Sequence, residues 1–276
     1  MTRIDRRALF ASGAAAALLA ASGLSANAAP RPGGTLRLAV PRDGSLEQVA
    51  TGALFDTLTE LAPDGTLRGE LATAWQGSPD ARQWSFRLQQ GVRFHDGTTL
   101  KPRHVVSALR ASDLPGLVRA EVAGASRIAL ELDVGNPDLP LLLADPAFAI
   151  ALVPGEGLVQ GIGTGAYRLD RIEAERHFRA SRVAEHYKAG RAGWADRIEI
   201  IVIPDAAVRA EALRDGFVDI AALPRRSGLI GRGEFLYHPS AEDMALAARP
   251  GVGIPRSVST RAPLDDGRIA ERWWLV

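Results

Sequence analysis

The stretch 196–223, DRIEIIVIPDAAVRAEALRDGFVDIAAL, constrains the fold more than any other part of the chain. It opens on an apolar, β-branched run from Ile198 to Ile203. Asp205 then stands where its carboxylate can cap the first N–H groups of a helix. Gly216 stands where such a helix ends in the left-handed conformation. A second apolar run, Val218 to Leu223, follows at once. Two strands joined by one short helix form a parallel crossover, and crossovers of this kind are right-handed. The chain therefore builds a sheet with parallel strands and helices against it, a mixed α/β (α+β) fold.

Upstream, GGTLRLAV at 33–40 alternates Leu36, Leu38 and Val40 with polar or small residues, as a strand does. Ser45 and Gln48 have capping-box spacing, and Val49, Leu54, Leu58 and Leu61 recur at helical intervals. APDGT at 62–66 is a turn. QWSFRLQQGVRF at 83–94 puts Trp84, Phe86 and Leu88 on one face, as a hairpin or two short strands. After the HDGT turn, Pro102 suits the first turn of a helix carrying Val105, Val106 and Leu109. SRIALELDV at 126–134 reads as a strand, DLPLLLADP as a short helix and FAIALVP as a buried strand. Tyr167 to Val183 reads as a hairpin. Residues 224–262 are loop-rich, with a strand near EFLYH. PLDDGRIAERWWLV reads as a helix capped by Asp265 or Asp266, with Ile269, Ala270, Trp273 and Trp274 as its apolar stripe. A boundary falls in the glycine-rich stretch 155–165.

The first 28 residues have the three parts of an export signal. Arg6 and Arg7 are adjacent in a basic start. A mildly apolar run of Ala, Leu, Gly and Ser extends from Ala8 to Leu24. Ala26-Asn27-Ala28 offers small residues for cleavage. The arginine pair points to the twin-arginine route and a periplasmic mature protein. No cysteine is present for a lipid anchor. No other apolar run is long enough to span a bilayer.

Net charge is +1. Arg3, Arg6 and Arg7 against Asp5 contribute +2 of it, which leaves the rest near −1. A body so balanced carries no general field for nucleic acid. The lack of cysteine also excludes thiolate nucleophiles and Cys-based metal sites. His95 and Asp96 are neighbours, but adjacent side chains diverge, and Asp96-Gly97 reads as a turn. His104, His177, His186 and His238 have no metal-ligand spacing. GIGTG at 161–165 precedes strand-like residues rather than a helix, unlike a phosphate cradle. No G-x-S-x-G elbow occurs. Nothing in the pattern argues for an enzyme or a cofactor.

Several stretches resemble, in order, the family 5 solute-binding proteins of ABC transporters, the binders of dipeptides, oligopeptides and nickel. They are GGTLRLAV (33–40), the segment 54–110 with its LATAW and VRFHDGT motifs, GTGAYRL (163–169) and the segment 186–223. Ala166 stands where that family usually has proline. PLDDGRIAE resembles the stretch that opens the second large lobe. The resemblance implies a periplasmic binding protein type II-like first lobe with an inserted smaller domain, the second lobe missing. On this reading residues 1–28 are the signal, 29–62 and 161–262 the first lobe, 63–160 the accessory domain and 263–276 the stub of the next lobe. The tryptophans of that stub are expected to be exposed or folded back on the first lobe. The implied function is delivery of a peptide or related small solute to an inner-membrane ABC permease, after export through the twin-arginine translocon. Ligand-facing backbone is expected at Val40, Pro41 and Arg42 and at Gly163 and Thr164. Two other readings remain: a lobe that binds no solute and docks a protein through its open face, and a periplasmic metal-binding protein.

Overall fold

The computed structural model describes residues 29–62, 65–152, 162–224, 235–239, 244–253 and 268–275. The export signal with Arg6, Arg7, Ala26 and Ala28, the cap candidates Asp265 and Asp266, and most of the 155–165 boundary lie outside them.

In chain order the elements are β1 (Thr35–Val40), α1 (Ser45–Leu54), β2 (Thr59–Leu61), β3 (Leu67–Gly69), β4 (Ala72–Gly77), β5 (Gln83–Leu88), α2 (Pro102–Ala111), β6 (Leu117–Val122), β7 (Arg127–Leu132) and α3 (Leu139–Leu142). After the crossing come β8 (Tyr167–Glu173), β9 (His177–Arg182), β10 (Arg197–Val202), α4 (Ala206–Arg214), β11 (Ile220–Pro224), β12 (Leu236–Pro239), β13 (Met244–Ala248), β14 (Val252–Gly253), α5 (Ile269–Arg272) and β15 (Trp274–Leu275).

A seven-stranded mixed sheet has the order β12-β13-β11-β1-β10-β9-β8. β1 lies between β10 and β11 and is parallel to both. The β10–α4–β11 unit therefore steps over β1 rather than pairing its own strands. Asp205 caps α4, accepting from the N–H groups of Ala207 and Val208. Gly216 has φ +78°, the left-handed value its position after the helix requires.

The two faces of this sheet follow the alternation of β1. Leu36, Leu38 and Val40 join Ile198, Ile200, Ile220 and Ala222 against Val49, Ala50, Ala53 and Leu54 of α1. The opposite face presents Ala39, Ala221 and Ala247 to Ala210 and Leu213 of α4. Small side chains on that face let the helix lie close to the strands. Helices thus cover both faces, and the central strands are buried on both sides.

Between the two halves of this sheet the chain builds a second one, β4-β5-β7-β6. Trp84, Phe86 and Leu88 alternate inward from β5, and Ile128, Leu130 and Leu132 from β7. α2, opened by Pro102 at its first turn, closes this core with Val105, Val106 and Leu109.

Several local expectations are corrected. Ser45 does not cap α1; its N–H and hydroxyl both donate to Asp43 Oδ1, and Gly44, at φ +91°, is the N-cap. α1 ends at Leu54 because Phe55 turns extended, so Leu58 and Leu61 lie beyond it. β5 pairs with β4 and β7, while Arg93 makes only an isolated bridge with Thr99. FAIALVP is not a strand in its described part: Phe148 ends a 3₁₀ turn begun at Pro146, and residues 149–152 are held by single bonds, Ile150 N–H to the Asp56 carbonyl and Leu152 N–H to that of Ile162, while Val153 and Pro154 lie outside the described residues. The 224–262 region supplies a strand pair, β12 with β13. The tryptophans do not ride a helix. α5 is one turn long, Trp273 is extended, and Trp274–Leu275 pairs with β14. Of the two outcomes expected for them, burial is the one observed: Trp273 is 1% exposed and packs in the core of the seven-stranded sheet.

Candidate functional site

The residues singled out in the sequence sit on two different elements. Val40 ends β1 at its C-terminal edge, fully buried, and its carbonyl accepts from the Ile203 N–H. Pro41 and Arg42 begin the loop that leads to α1. Arg42 is exposed and stands 4.0 Å from Glu175. Gly163 and Thr164 lie instead on the crossing that runs past the C-terminus of α1 into β8. A Cβ on Gly163 would fall 1.9 Å from the Leu54 carbonyl oxygen, and one on Gly165 would fall 2.4 Å from that of Ala53. The glycines of GTG are therefore required for close backbone approach, not for a phosphate. Gly165 N–H donates to the Leu54 carbonyl, and β8 follows directly.

Thr164 leads to a group of charges that sequence reasoning missed. Its hydroxyl donates to Asp56 Oδ2 at 2.8 Å, with both residues fully buried. Asp56 Oδ1 accepts from Lys188 Nζ at 2.9 Å. Lys188 also contacts Glu70 Oε1 and lies 3.2 Å from Glu271 Oε2. Arg268 grips Glu70 with both terminal nitrogens, NH2 reaching Oε2 at 2.6 Å, and NH2 also reaches Thr57 Oγ1 at 3.2 Å. The Thr57 N–H and hydroxyl donate to Glu70 Oε2 at 2.7 and 2.8 Å. Three carboxylates and two cations, all buried, thus converge from five places: the chain after α1, the β3–β4 turn, the loop after β9, and both ends of α5.

The hydrophobic environment makes these charges depend on one another. Burial alone would raise the Asp56 carboxyl, but Lys188 and Arg268 hold it well below the usual range. Burial alone would lower Lys188, but Asp56, Glu271 and Glu70 hold it well above its ordinary value. Arg268 is raised in the same way, chiefly by Glu70 after burial is overcome. Burial pushes the Tyr187 hydroxyl up, and Lys188 Nζ lies 5.6 Å from the centre of its ring. His186 Nε2 meets the Thr164 carbonyl at 2.7 Å, while its Nδ1 accepts from the Lys188 N–H. That bonding pattern is the neutral ring with the proton on Nε2.

Oxygens of Asp56, Glu70 and Glu271 lie within 4.8 Å of one another, a spacing that could hold a metal ion. Lys188 reaches all three and Arg268 binds Glu70 through two bonds, so the ammonium and guanidinium fill the place a cation would take. The arrangement is an ion-pair joint between two apolar cores. Leu58 and Leu71 beside it belong to the core of the smaller sheet. Leu54, Phe55 and Ala270 belong to that of the larger.

His95 and Asp96 are not a pair. The Asp96 carboxylate accepts from the Thr98 N–H and hydroxyl inside the turn. His95 instead binds the crossing, its N–H donating to the Gly163 carbonyl and its Nε2 meeting that of Gly165 at 2.9 Å. Burial lowers the pKa of this imidazole. His177 pairs with Glu199 on neighbouring strands.

A mixed sheet whose central parallel strands are covered on both faces, interrupted by a smaller antiparallel domain, is the arrangement found in the type II periplasmic binding protein fold. NikZ from Campylobacter jejuni, solved in complex with Ni(L-His), superposes with a TM-score of 0.64 at 20% identity, covering 75% of this chain and 48% of that one. DppA from Helicobacter pylori, solved in complex with peptide STSA, gives 0.61 at 19%, covering 71% and 48%. The family model of bacterial extracellular solute-binding proteins, family 5 Middle, matches residues 66–231, and the chain belongs to that family. Its members are extracellular or periplasmic binding proteins. Among curated relatives, a probable di/tripeptide-binding protein of Pseudomonas aeruginosa is 27% identical over 214 residues, covering 62% of this chain and 40% of that protein. The nickel-binding periplasmic protein of Escherichia coli is 25% identical over 194 residues, covering 63% and 36%. The chain spans 36% to 55% of the length of the curated relatives it matches. Among the described residues no helix is long and apolar enough to cross a membrane.

Proposed function

We propose that the chain is the substrate-binding component of an ABC transporter, or the first-lobe part of one, for peptides or related small solutes. The observation that carries this is the family match over 66–231 joined to the type II sheet order around β1. In open sheets with parallel strands, ligands lie beyond the carboxyl ends of the strands. Here that edge of β1 is the Val40–Arg42 turn. Pro41 and Arg42 are its accessible part, and the Arg42 guanidinium suits a peptide carboxylate. The buried crossing at Gly163 and Thr164 acts from behind through its backbone, the Thr164 hydroxyl being committed to Asp56. Residues 29–62 and 161–262 form the lobe on this reading, and 63–160 the accessory domain. Arg6 and Arg7 direct export through the twin-arginine translocon, with cleavage after Ala28, and the partner in the inner membrane is an ABC permease. No catalytic role is assigned.

The test is calorimetric titration of the chain with a panel of di- and tripeptides and with nickel–histidine. Saturable heat with a peptide, weakened several-fold in Arg42→Ala, supports the reading. Heat with nickel–histidine alone would favour the metal-binding alternative. No heat with any member would leave the protein-docking alternative standing.

A further inference from the structure

Among the described residues, the ion-pair joint contains one more acid than base. Asp56, Glu70 and Glu271 face Lys188 and Arg268, and each is at most 6% exposed. The three acids are not served alike. Asp56 has a donor on each oxygen, Lys188 on Oδ1 and Thr164 on Oδ2. Glu70 receives Lys188 and Arg268 on Oε1, and Thr57 twice and Arg268 on Oε2. Glu271 has only Lys188, 3.2 Å from Oε2, with Arg268 farther off at 3.5 Å. Its Oε1 is buried without a partner.

Among the described residues, the remaining groups around Glu271 supply no compensating charge. The Tyr187 hydroxyl is buried and unpaired, and the Tyr167 hydroxyl donates to the Ala195 carbonyl. His186 has both ring nitrogens engaged elsewhere, Nε2 with the Thr164 carbonyl and Nδ1 with the Lys188 N–H. Arg272 turns outward, to the Leu61 carbonyl and Glu60. On the backbone side Gly193 N–H donates to the Glu271 carbonyl, fixing the helix turn against the loop that carries Lys188. An isolated buried charge with an unserved oxygen costs several kcal/mol, and such a group neutralises instead.

We propose that Glu271 docks as the neutral acid, so that seating the 268–275 segment on the first lobe takes up one proton. The joint is then a pH-sensitive latch. Burial acts on the Glu271 carboxyl in the same direction, raising it; Lys188 and Arg268 oppose, and Asp56 and Glu70 reinforce. The sign follows from linkage. A group whose folded pKa lies above its unfolded value stabilises fully below the unfolded pKa. That contribution is lost as pH rises through the folded one. Docking of α5 and β15 therefore weakens on going from mildly acidic toward alkaline pH, by at most about tenfold per pH unit for one proton. Trp273, buried beside the joint, reports it. This inference does not depend on which solute the protein binds.

The experiment follows tryptophan emission and denaturant midpoint against pH in the whole chain, in Glu271→Gln and in the rim control Glu60→Gln. Trp273→Phe assigns the emission change. The expected result is a midpoint that falls, with a red shift from Trp273, as pH rises in the natural chain and in Glu60→Gln. Glu271→Gln should remove that slope and be at least as stable at the alkaline end. Infrared difference spectra give a direct readout: a protonated carboxyl band that survives at about pH 6, where exposed carboxyls are ionised, is missing in Glu271→Gln and is lost from the natural chain as pH rises further. A pH slope that persists in Glu271→Gln, or the absence of that band at about pH 6, would overturn the proposal.

Discussion

Replacing Lys188 by Met keeps most of the side-chain stem and removes the charge. It tests whether the five-residue joint holds the two cores together. In the native arrangement Lys188 Nζ lies 2.9 Å from Asp56, 3.2 Å from Glu271 and in contact with Glu70. Without it, Arg268 alone faces the three acids, and Asp56 Oδ1 keeps only the distant Arg268 nitrogen at 3.5 Å. Burial decides the magnitude. The Arg119–Glu121 pair is 2.7 Å long, closer than two of the Lys188 contacts, yet its side chains are 62% and 44% exposed. A pair of that kind contributes about 0–1 kcal/mol. Removing one partner from a buried set costs about 3–5 kcal/mol, because the charge left behind stays out of water. The total stability of a domain is about 5–15 kcal/mol, so Lys188→Met should remove about a fifth or more of it. With a guanidinium slope of about 4 kcal/mol/M, the unfolding midpoint moves down by about 1 M. Arg119→Met in the same assay should barely move it. The Asp56–Lys188 double-mutant cycle should return a coupling of about 1–3 kcal/mol. A Lys188→Met loss below about 1 kcal/mol, or one equal to that of Arg119→Met, would refute the argument that burial rather than distance sets the strength of the joint.

Gly163→Ala drives a methyl to 1.9 Å from the Leu54 carbonyl oxygen, and the crossing must shift. We expect about 1–3 kcal/mol lost in denaturant unfolding, where the same change at Gly251, which has open space and no left-handed φ, should cost little. Asp205→Ala removes the cap of α4 and should cost about 1 kcal/mol, checked by thermal unfolding, with Asp205→Asn restoring most of it. Asp56 is held below the usual carboxylate range, so its contribution is present above the ordinary carboxylate pKa and is lost as pH falls through the lowered one. In Thr164→Val, which removes one of its donors, acid unfolding should therefore begin at higher pH than in the natural chain.

The sheet was legible where side-chain period and cap chemistry agree. β10, the Asp205 cap, α4, Gly216 and β11 could all be read from one 28-residue stretch, because each signal is local. The insertion of β1 between β10 and β11 was not, since strand order depends on partners about 160 residues away. Ser45 had the right spacing for a cap, but Asp43 captured its hydroxyl first. The two tryptophans had helical spacing and still left the helix, because pairing with β14 and burial of Trp273 in the main core outweigh one more helical turn. Thr164 was singled out for its motif. The charges beside it were overlooked because Asp56, Glu70, Lys188, Arg268 and Glu271 are spread over more than 200 residues. A signal was there: Asp56 and Glu60 punctuate the apolar run LFDTLTELA, and an acid in such a run must find a buried partner.

The central claim, that this lobe binds a small solute at the C-terminal edge of β1, is tested most directly by amide chemical-shift mapping. The isotopically labelled chain is titrated with the di- and tripeptide panel. Saturable shifts are expected at Leu38, Ala39, Val40 and Arg42, with smaller ones relayed to Gly163 and Thr164. Shifts confined to the outer face of the β4-β5-β7-β6 sheet, or no saturable shift anywhere, would contradict it.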